Sequence, residues 1–237
     1  SIKCMEFSDR VIGFIEHPLN ASVKTKFLTL TEQAIIKNTL KNKVFFKFYG
    51  GYENSELKRA IIYKDSDPSI TCFKIIYNKK YLTLSHQNIL GTLLSLSITK
   101  DSIGDIIVNE DVFFITSELK DFIINEFTKI NSVSIELMEI DGSQLIRNVL
   151  LEIDSFTVSS LRLDSIVSNI TKKSRNLASE MILNDLVQVN HVITNKNTKY
   201  LNEEYVISIR KYGRFIIKDT KKTSKKGKIV VKYGKYV

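Results

Sequence analysis

Cysteine, proline and long apolar stretches are all scarce in this sequence. Its two cysteines, Cys4 and Cys72, are far apart and form no CxxC motif, so the sequence predicts neither a zinc site nor a disulfide framework. No apolar run approaches the roughly 20 residues that span a bilayer, and the first residues lack the apolar segment of a signal peptide. We therefore expect a cytoplasmic protein that makes no membrane contact, with both thiols acting as ordinary small side chains.

Residues that carry catalytic or metal chemistry are also few. The three histidines, His17, His86 and His191, have no cysteine partners and no HExxH spacing, so we expect no metal ion. The pair Gly50-Gly51 is not the glycine-rich loop that a methyltransferase places after a strand of a Rossmann-like unit. No nucleophile can be matched with a base. The sequence thus predicts a protein that is not an enzyme and that binds no cofactor and no small-molecule substrate.

Positive charge, by contrast, is in excess, and the whole excess lies in the last third of the chain. The net charge is +9. Residues 158–237 hold 17 Lys and Arg against 6 Asp and Glu, whereas residues 1–157 hold 18 against 20. This asymmetry indicates a polyanionic partner, and the basic part lacks the pattern of an amphipathic membrane helix. The alternative interpretation is a basic segment that only aids solubility.

Changes of pattern along the chain predict three domains and an α+β fold. Residues 1–70 alternate helical and strand-like segments, which indicates a small α/β domain. Residues 71–157 begin with the order βαββαβ, typical of ferredoxin-like and RRM-like folds, and end in an irregular strand and connector. The RNP consensus is absent, so we expect Phe113 and Phe114 in a core rather than on an RNA-stacking platform. Residues 158–237 form the third domain.

The third domain opens with two short helices and continues in short alternating strands. Leu163, Ile166, Val167 and Ile170 recur at helical spacing and predict one apolar face. Ser174 is a good N-cap for the second helix, whose N-terminus favours a phosphate through its N–H groups and dipole. Neighbouring Lys and Arg side chains add charge and bidentate geometry. The residues that we predict to contact RNA are Arg162, Asn169, Lys172, Lys173, Ser174, Arg175, Asn176, Gln188, Asn190, Arg210, Lys211 and Arg214.

The pattern of these residues resembles the S4-type RNA-binding domain, also called the αL motif. The matching positions are Arg162-Leu163-Asp164, Ser174-Arg175, Val187, Val189-Asn190, Ile207, Ile209-Arg210 and Gly213-Arg214. Such domains occur in a ribosomal protein of the small subunit, in tyrosyl-tRNA synthetases, in pseudouridine synthases and in a heat-shock ribosome-binding protein. The resemblance implies that residues 158–237 form an S4-type RNA-binding domain, with residues 221–237 as its basic end.

The first two thirds of the chain extend the resemblance to the YlmH family of bacterial S4-domain proteins. The matching residues are Gly50-Gly51-Tyr52, Glu56, Lys58-Arg59-Ala60, Leu84-Ser85-His86, Leu90-Gly91, Leu93-Leu94 and Ile103-Gly104-Asp105-Ile106. The family resemblance implies an N-terminal α/β domain, an RRM-like middle domain and a C-terminal S4-type domain. It also implies association with ribosomal RNA of the large ribosomal subunit and with peptidyl-tRNA, in the handling of stalled translation. We expect a monomer, with Lys58, Arg59 and His86 as further candidates for RNA contact.

Two turns depart from the family pattern. The family usually has Gly-Asp before the penultimate strand, where this chain has Glu203-Glu204. It usually has Arg-Gly-Phe-Gly-Arg where this chain has the run from Arg210 to Arg214, Arg-Lys-Tyr-Gly-Arg. The first change bears on the geometry of the turn, and the second keeps an aromatic side chain and adds a positive charge.

Two other functions compete with RNA binding alone. An RNA-modifying enzyme is the main alternative, because Arg162-Leu163-Asp164 superficially resembles the catalytic aspartate motif of some pseudouridine synthases. We interpret Asp164 as a structural helix residue, since it falls inside the S4-type pattern and no separate catalytic domain is left over. His86 stands at a helix start, where a capping or packing role is expected rather than catalysis. A structural ribosomal protein is the second alternative, which the neutral to acidic first two thirds argue against.

Overall fold

The computed structural model describes residues 2–146 and 149–237, with side chains from Glu6 onward in the first helix. Within this part of the chain, six α-helices and three sheets form a mixed α+β fold. It divides into two compact units, Ser1–Arg147 and Asn148–Val237. None of the described helices is long and apolar enough to cross a membrane. The Cys4 side chain lies outside the described part; Cys72 is a free thiol whose pKa burial raises to about 12, which makes it a poor nucleophile.

The first unit begins with two helices packed on a three-stranded antiparallel sheet. The elements are α1 (Ile2–Glu16), β1 (Val23–Leu28), α2 (Leu30–Leu40), β2 (Phe46–Tyr49) and β3 (Lys58–Ile62), with strand order β1-β3-β2. Thr29 caps α2 in a capping box with Glu32, so the chain turns from strand to helix within one residue of β1. Ile36 and Leu40 of α2 are fully buried against the sheet and α1.

The rest of the first unit is a five-stranded sheet with two helices on one face. In chain order it contains β4 (Ile70–Tyr77), α3 (His86–Ser95), β5 (Ile103–Ile107), β6 (Val112–Thr116), α4 (Lys120–Glu126), β7 (Lys129–Ile130) and β8 (Val133–Ile140). The strand order is β5-β6-β4-β8-β7, and the neighbouring strands are antiparallel. Because side chains alternate along β6, Phe113 packs with the helices whereas Phe114 packs on the opposite face. Both rings are buried.

The loop between β2 and β3 covers that opposite face of β6. Gly51 has φ +101°, and a Cβ atom there would lie 2.4 Å from the ring of Phe114. Tyr52 stacks on Phe114 with 5.3 Å between ring centroids, and its hydroxyl donates to Asp105 at 2.6 Å. The backbone N–H groups of Glu56 and Leu57 donate to the same carboxylate. Tyr52, Asp105 and Phe114 therefore hold the two sheets of this unit together.

The second unit is a six-stranded antiparallel sheet with two helices on one face. Its elements are β9 (Leu151–Val158), α5 (Leu163–Thr171), α6 (Arg175–Leu183), β10 (Val187–Val189), β11 (Val192–Ile193), β12 (Val206–Ile209), β13 (Gly213–Thr223) and β14 (Ile229–Tyr236). The strand order is β11-β10-β12-β13-β14-β9. Leu163, Ile166 and Val167 of α5 are fully buried in the core between helices and sheet, as their spacing predicts.

The two ends of this unit differ from the sequence expectation. The sequence predicts an irregular strand and connector in residues 141–157; the structure contains the strand β9, which pairs with β14 over its whole length, from Val158 opposite Ile229 to Leu151 opposite Tyr236. The residues from 229 onward were expected to be a basic end, but they form a strand between β13 and β9 whose Val231 is fully buried. Lys232 and Lys235 interrupt the apolar residues of β14, so the sequence of this central strand resembles that of a basic segment.

Candidate nucleic-acid interface

A carboxylate in the first turn of α5 holds two arginines. Arg162 donates to Asp164 from Nη2 at 2.8 Å and from Nε at 3.2 Å. Arg175, the first residue of α6, donates to the same carboxylate from Nη2 at 3.1 Å and from Nε at 3.2 Å. The Asp164 side chain is only 5% exposed, whereas those of Arg162 and Arg175 are 33% and 54% exposed. The cluster is therefore anchored from inside and presents two guanidinium groups to solvent.

The carboxylate of Asp164 stays ionised in this arrangement. Burial acts to raise its pKa, but hydrogen bonds from Arg162 and Arg175, the charge of Arg175 and the N–H of Ser165 outweigh burial, and the pKa lies below its ordinary value. Two guanidinium groups on one carboxylate leave a net charge of about +1 on the cluster. Neither arginine uses its Nη1 group on Asp164. Each can therefore keep its bond to Asp164 and still donate outward to a phosphate.

The turn between α5 and α6 adds two lysines to this cluster. Lys172 ends α5 in the left-handed conformation, with φ +55°. The N–H of Lys173 donates to the Ser168 carbonyl, and the Ser168 hydroxyl donates to the Lys173 carbonyl. Ser174 then caps α6 by accepting the N–H of Leu177 at 3.3 Å. The tight turn exposes a run of residues from 172 to 176 at the start of α6, next to the two arginines.

The predicted contact residues do not form one surface. Val187 and Val189 of β10 face the helices, so Gln188 between them faces the other way. Gln188 lies opposite Ser208, and Ser208 lies opposite Arg214, which places this row on the sheet face away from α5 and α6. The guanidinium of Arg214 lies 5.2 Å from the ring centroid of Tyr236. The helix-junction residues are thus separated by the sheet from Gln188 and Arg214.

Two of the predicted asparagines have structural partners. Asn169 donates its side-chain amide to the carbonyl of Ser165, one turn earlier in α5. Asn190 has a positive φ of 49°, and its side-chain oxygen accepts the N–H of Val206 at 2.9 Å. Both side chains are exposed in spite of these bonds. Their positions are explained by local structure without an RNA contact.

The two turns that depart from the family pattern carry charged residues in the left-handed conformation. Glu204 has φ +62° and Lys211 has φ +72°. Glu204 forms an ion pair with Lys218 at 3.0 Å, and Glu203 accepts the N–H of Thr220 at 3.1 Å. These contacts hold the first turn in place. Lys211 is exposed next to the exposed Arg210.

The three candidates in the first unit lie in different settings. Arg59 is only 3% exposed, and it donates to the carbonyls of Thr25 and Ser69, both at 2.6 Å, and to Glu118 at 3.0 and 3.2 Å. It cannot reach an RNA without leaving these partners, so we exclude it from the interface. Lys58 is partly exposed on the same strand. His86 is exposed at the start of α3, where Ser85 makes the capping box in its place.

Comparison with known proteins gives three findings. The family model described as "Putative RNA-binding domain in YlmH" matches residues 64–144. A Bacillus subtilis (strain 168) protein named "Ribosome-associated protein quality control protein P2" is 31% identical over 214 residues, which cover 86% of this chain and 83% of that protein. A solved structure, "Cell division protein ylmH from Streptococcus pneumoniae", matches with a TM-score of 0.50 at 24% identity and covers 59% of this chain and 92% of its own.

The matched domain and the basic part of the chain are different segments. Residues 64–144 contain seven lysines and no arginine, against twelve Asp and Glu. Residues 158–237, by contrast, hold 17 Lys and Arg against 6 Asp and Glu, so the charge that favours phosphate neutralisation is concentrated in the second unit.

Proposed function

The chain belongs to the YlmH family, and on that premise we propose that it is a non-catalytic RNA-binding protein of stalled translation complexes. It associates with the large ribosomal subunit through ribosomal RNA and with peptidyl-tRNA. The observation that carries the proposal is the pair of arginines held on Asp164 beside an exposed, lysine-rich helix start. Membership of the family supports association with the ribosome, and the charge and geometry of the second unit support the contact with RNA.

The proposal includes three domains. Two helices followed by antiparallel strands in residues 151–237 support an S4-type domain, enlarged by β9 and β14. The strand order β5-β6-β4-β8 with helices on one face supports an RRM-like domain in residues 70–140. Tyr52 and Phe114 cover part of the opposite face, where an RRM would stack bases. Any RNA contact of the middle domain therefore uses a different surface. The N-terminal domain has a structural role, because its loop covers this face of the middle domain.

RNA binding begins at the junction of α5 and α6. Lys172 and Lys173 act as mobile point charges, whereas Arg162 and Arg175 offer oriented forks that match phosphate oxygens. Because Asp164 fixes both forks before the RNA arrives, less side-chain entropy is lost on binding. Backbone N–H groups at the start of α6 add a favourable dipole. We include Ser174 and Asn176 in this contact. The N–H of Arg210 donates to the carbonyl of Leu186, beyond the other end of α6, so we propose Arg210 and Lys211 as a separate contact.

The RNA-modifying alternative depends on Asp164. A nucleophilic or basic carboxylate needs an accessible lone pair near its target. Asp164 is buried, and its two oxygens accept five hydrogen bonds from Arg162, Arg175 and Ser165. This geometry favours a structural role for Asp164 and supports the non-catalytic proposal.

The experiment combines sedimentation with RNA chemistry. Tagged protein is sedimented with ribosomal subunits from cells, and crosslinked RNA is sequenced. We expect large-subunit RNA and tRNA to be enriched, with the variant K172Q/K173Q strongly reduced. The matched control K37Q/K41Q removes two exposed lysines from the first unit and should behave like the wild type. In parallel, purified ribosomal RNA and tRNA are incubated with the protein, and their nucleosides are measured by mass spectrometry. Enrichment of messenger RNA alone, or a new modified nucleoside, would refute the proposal.

A further inference from the structure

The hairpin between β13 and β14 carries a dense group of lysines. Residues 221–228, the lysine hairpin, have the sequence Lys-Lys-Thr-Ser-Lys-Lys-Gly-Lys, with five lysines and no acidic residue. None of them belongs to the sequence pattern of the S4-type domain. The lysine side chains are all exposed. The segment also contains no aromatic residue, so it offers no surface on which a base could stack.

The tip of the lysine hairpin has a defined conformation. The N–H of Ser224 donates to the Lys228 carbonyl at 2.7 Å, and the N–H of Gly227 donates to the Ser224 carbonyl at 2.9 Å. The Ser224 hydroxyl also accepts the N–H of Lys228 at 3.1 Å. Gly227 has φ +73°, which suits the left-handed position of a three-residue turn. The lysines at the tip are therefore held on a short, hydrogen-bonded turn and not on a loose chain.

Positive charge at the tip is not balanced within the unit. Lys221 lies 3.7 Å from Glu203, and its N–H donates to Asp219. Within the described part of the chain, Lys222, Lys225, Lys226 and Lys228 take part in no ion pair. Four like charges on one turn repel each other and destabilise it, and a polyanion removes that repulsion.

The base of the lysine hairpin and the arginine cluster share one edge of the second unit. Ile229, at the base, pairs with Val158 of β9. Val158 is four residues before Arg162, so their Cα atoms are at most about 14 Å apart. A second set of contacts also places the hairpin close to Arg162. Arg162 forms a bridge with Tyr200, and three residues later Glu203 accepts the N–H of Thr220 on the other arm of the hairpin.

We propose that the lysine hairpin is a second RNA-backbone site that contacts the same double-helical RNA as the α5–α6 junction. The inference rests on the proposed function and adds to it the class of RNA. Lysines without aromatic neighbours bind phosphates rather than bases. Two basic elements on one edge, one at a helix start and one on a projecting turn, fit phosphates on two stretches of an A-form helix. Recognition of this kind reads shape and not sequence.

The test compares three variants of the full chain by fluorescence anisotropy. The probes are a labelled RNA stem-loop of about 20 base pairs, long enough for two minor grooves, and a single-stranded RNA of equal length. The hairpin variant is K222Q/K225Q/K226Q/K228Q, and the junction variant is K172Q/K173Q. The control K37Q/K41Q/K43Q/K100Q removes four exposed lysines from the first unit and changes the net charge equally. Melting temperatures show that each variant is folded.

We expect the hairpin variant to bind the stem-loop at least about ten-fold more weakly, with a salt slope smaller by about 2–4 units. The control should stay within about two-fold of the wild type, since its lysines are outside the second unit. On the unmodified protein, the stem-loop should protect Lys225 and Lys226 from acetylation by a water-soluble ester. This measurement needs no variant and therefore does not depend on folding.

Several outcomes would overturn the inference. A hairpin variant that binds like the control, while the junction variant is weakened, refutes the second site and leaves the proposed function intact. A wild-type protein that binds neither RNA refutes both. Loss confined to single-stranded RNA refutes the double-helical ligand. Loss of binding to vesicles of phosphatidylglycerol and phosphatidylcholine, with RNA affinity unchanged, would assign the lysine hairpin to a membrane surface.

Discussion

Arg175 donates two hydrogen bonds, at 3.1 and 3.2 Å, to the carboxylate of Asp164 and so ties the start of α6 to the start of α5. Eleven positions separate the two residues in the chain. The contact gives Arg175 a structural role besides the phosphate contact proposed for it. Stability and RNA affinity should therefore change together when this pair is altered.

Replacing Asp164 by alanine removes the anchor of both arginines. Hydrogen bonds to charged groups contribute about 1.5–3 kcal/mol each when one partner is buried, so we expect D164A to lower the free energy of unfolding by about 2–3 kcal/mol. RNA affinity should fall although the net charge rises by one, because the guanidinium groups lose their orientation. The control E180A removes an exposed carboxylate from α6 and should change neither property. Urea denaturation and anisotropy measure the two effects, and tighter RNA binding by D164A would contradict the orientation argument.

The depressed pKa of Asp164 predicts a pH dependence of stability. A carboxylate whose pKa is lower in the folded than in the unfolded chain stabilises the fold above its unfolded pKa of about 3.9. That stabilisation is lost as the pH falls through the folded pKa. Wild type and D164N should therefore differ by a constant amount above about pH 5, and the difference should shrink below about pH 4. Urea unfolding at a series of pH values tests this prediction. If the difference in free energy of unfolding between the two proteins grows on acidification, the pKa of Asp164 is not lowered in the folded state.

Arg175→Ala and Ile166→Ala distinguish a residue that contacts RNA from one that only packs in the core. Loss of one phosphate contact costs about 1 kcal/mol or more of affinity and lowers the salt slope by about one unit. R175A should show this loss together with a decrease of about 1 kcal/mol in stability, since its side chain is more than half exposed and the pair is partly screened. Ile166 is fully buried, so I166A should lower stability by roughly 2–5 kcal/mol. At a temperature where I166A is folded, its RNA affinity and salt slope should equal those of the wild type.

Arg59→Ala tests whether a buried arginine is structural. The Arg59 side chain is 4% exposed, and its loss removes the donor to the Thr25 carbonyl and the partner of Glu118, whereas the Ser69 carbonyl keeps the N–H of Ser117. An unsatisfied polar group costs about 1–3 kcal/mol, so R59A should be destabilised by about 1–3 kcal/mol. The neighbouring variant K58A should be nearly neutral. Thermal melts measure both, and a stable R59A with reduced RNA affinity would return Arg59 to the interface.

Sequence patterns were most informative where structure is local. The apolar face of α5 and the Ser174 cap follow from spacing and residue type within one or two turns, and the structure contains both. The sequence does not predict the pairing of β9 with β14, because it joins segments far apart in the chain and because Lys232 and Lys235 interrupt the apolar pattern around the buried Val231. Non-local strand pairing leaves little trace in either segment alone.

The same distinction separates the candidate site residues. Lys172, Lys173 and Arg175 were placed at an exposed helix start by local pattern, and the structure brings them together there. Arg59 looked like a surface cation because its burial depends on Thr25, Ser69 and Glu118, which are distant in the chain. Arginine is usually exposed, so residue type alone predicts a surface position. An arginine is buried only where partners from other parts of the chain satisfy its charge and its hydrogen bonds.

At Lys211 the effect of the side-chain charge on RNA affinity can be measured separately from the effect of the backbone conformation on stability. It has φ +72°, a conformation that costs a non-glycine residue about 1–2 kcal/mol. K211G should therefore be more stable than the wild type by up to about 1 kcal/mol, since part of the gain is offset by the greater entropy of glycine in the unfolded chain.

The matched variant K211Q keeps the strained backbone and removes the same charge. Both K211G and K211Q should bind RNA more weakly than the wild type, with a salt slope lower by about one unit, because a single phosphate contact is lost. Only K211G should gain stability in urea denaturation. If the two variants have equal stability, the left-handed backbone at this turn carries no strain. If both retain full affinity for RNA, the charge at position 211 lies outside the interface, and the RNA contact is confined to the junction of α5 and α6.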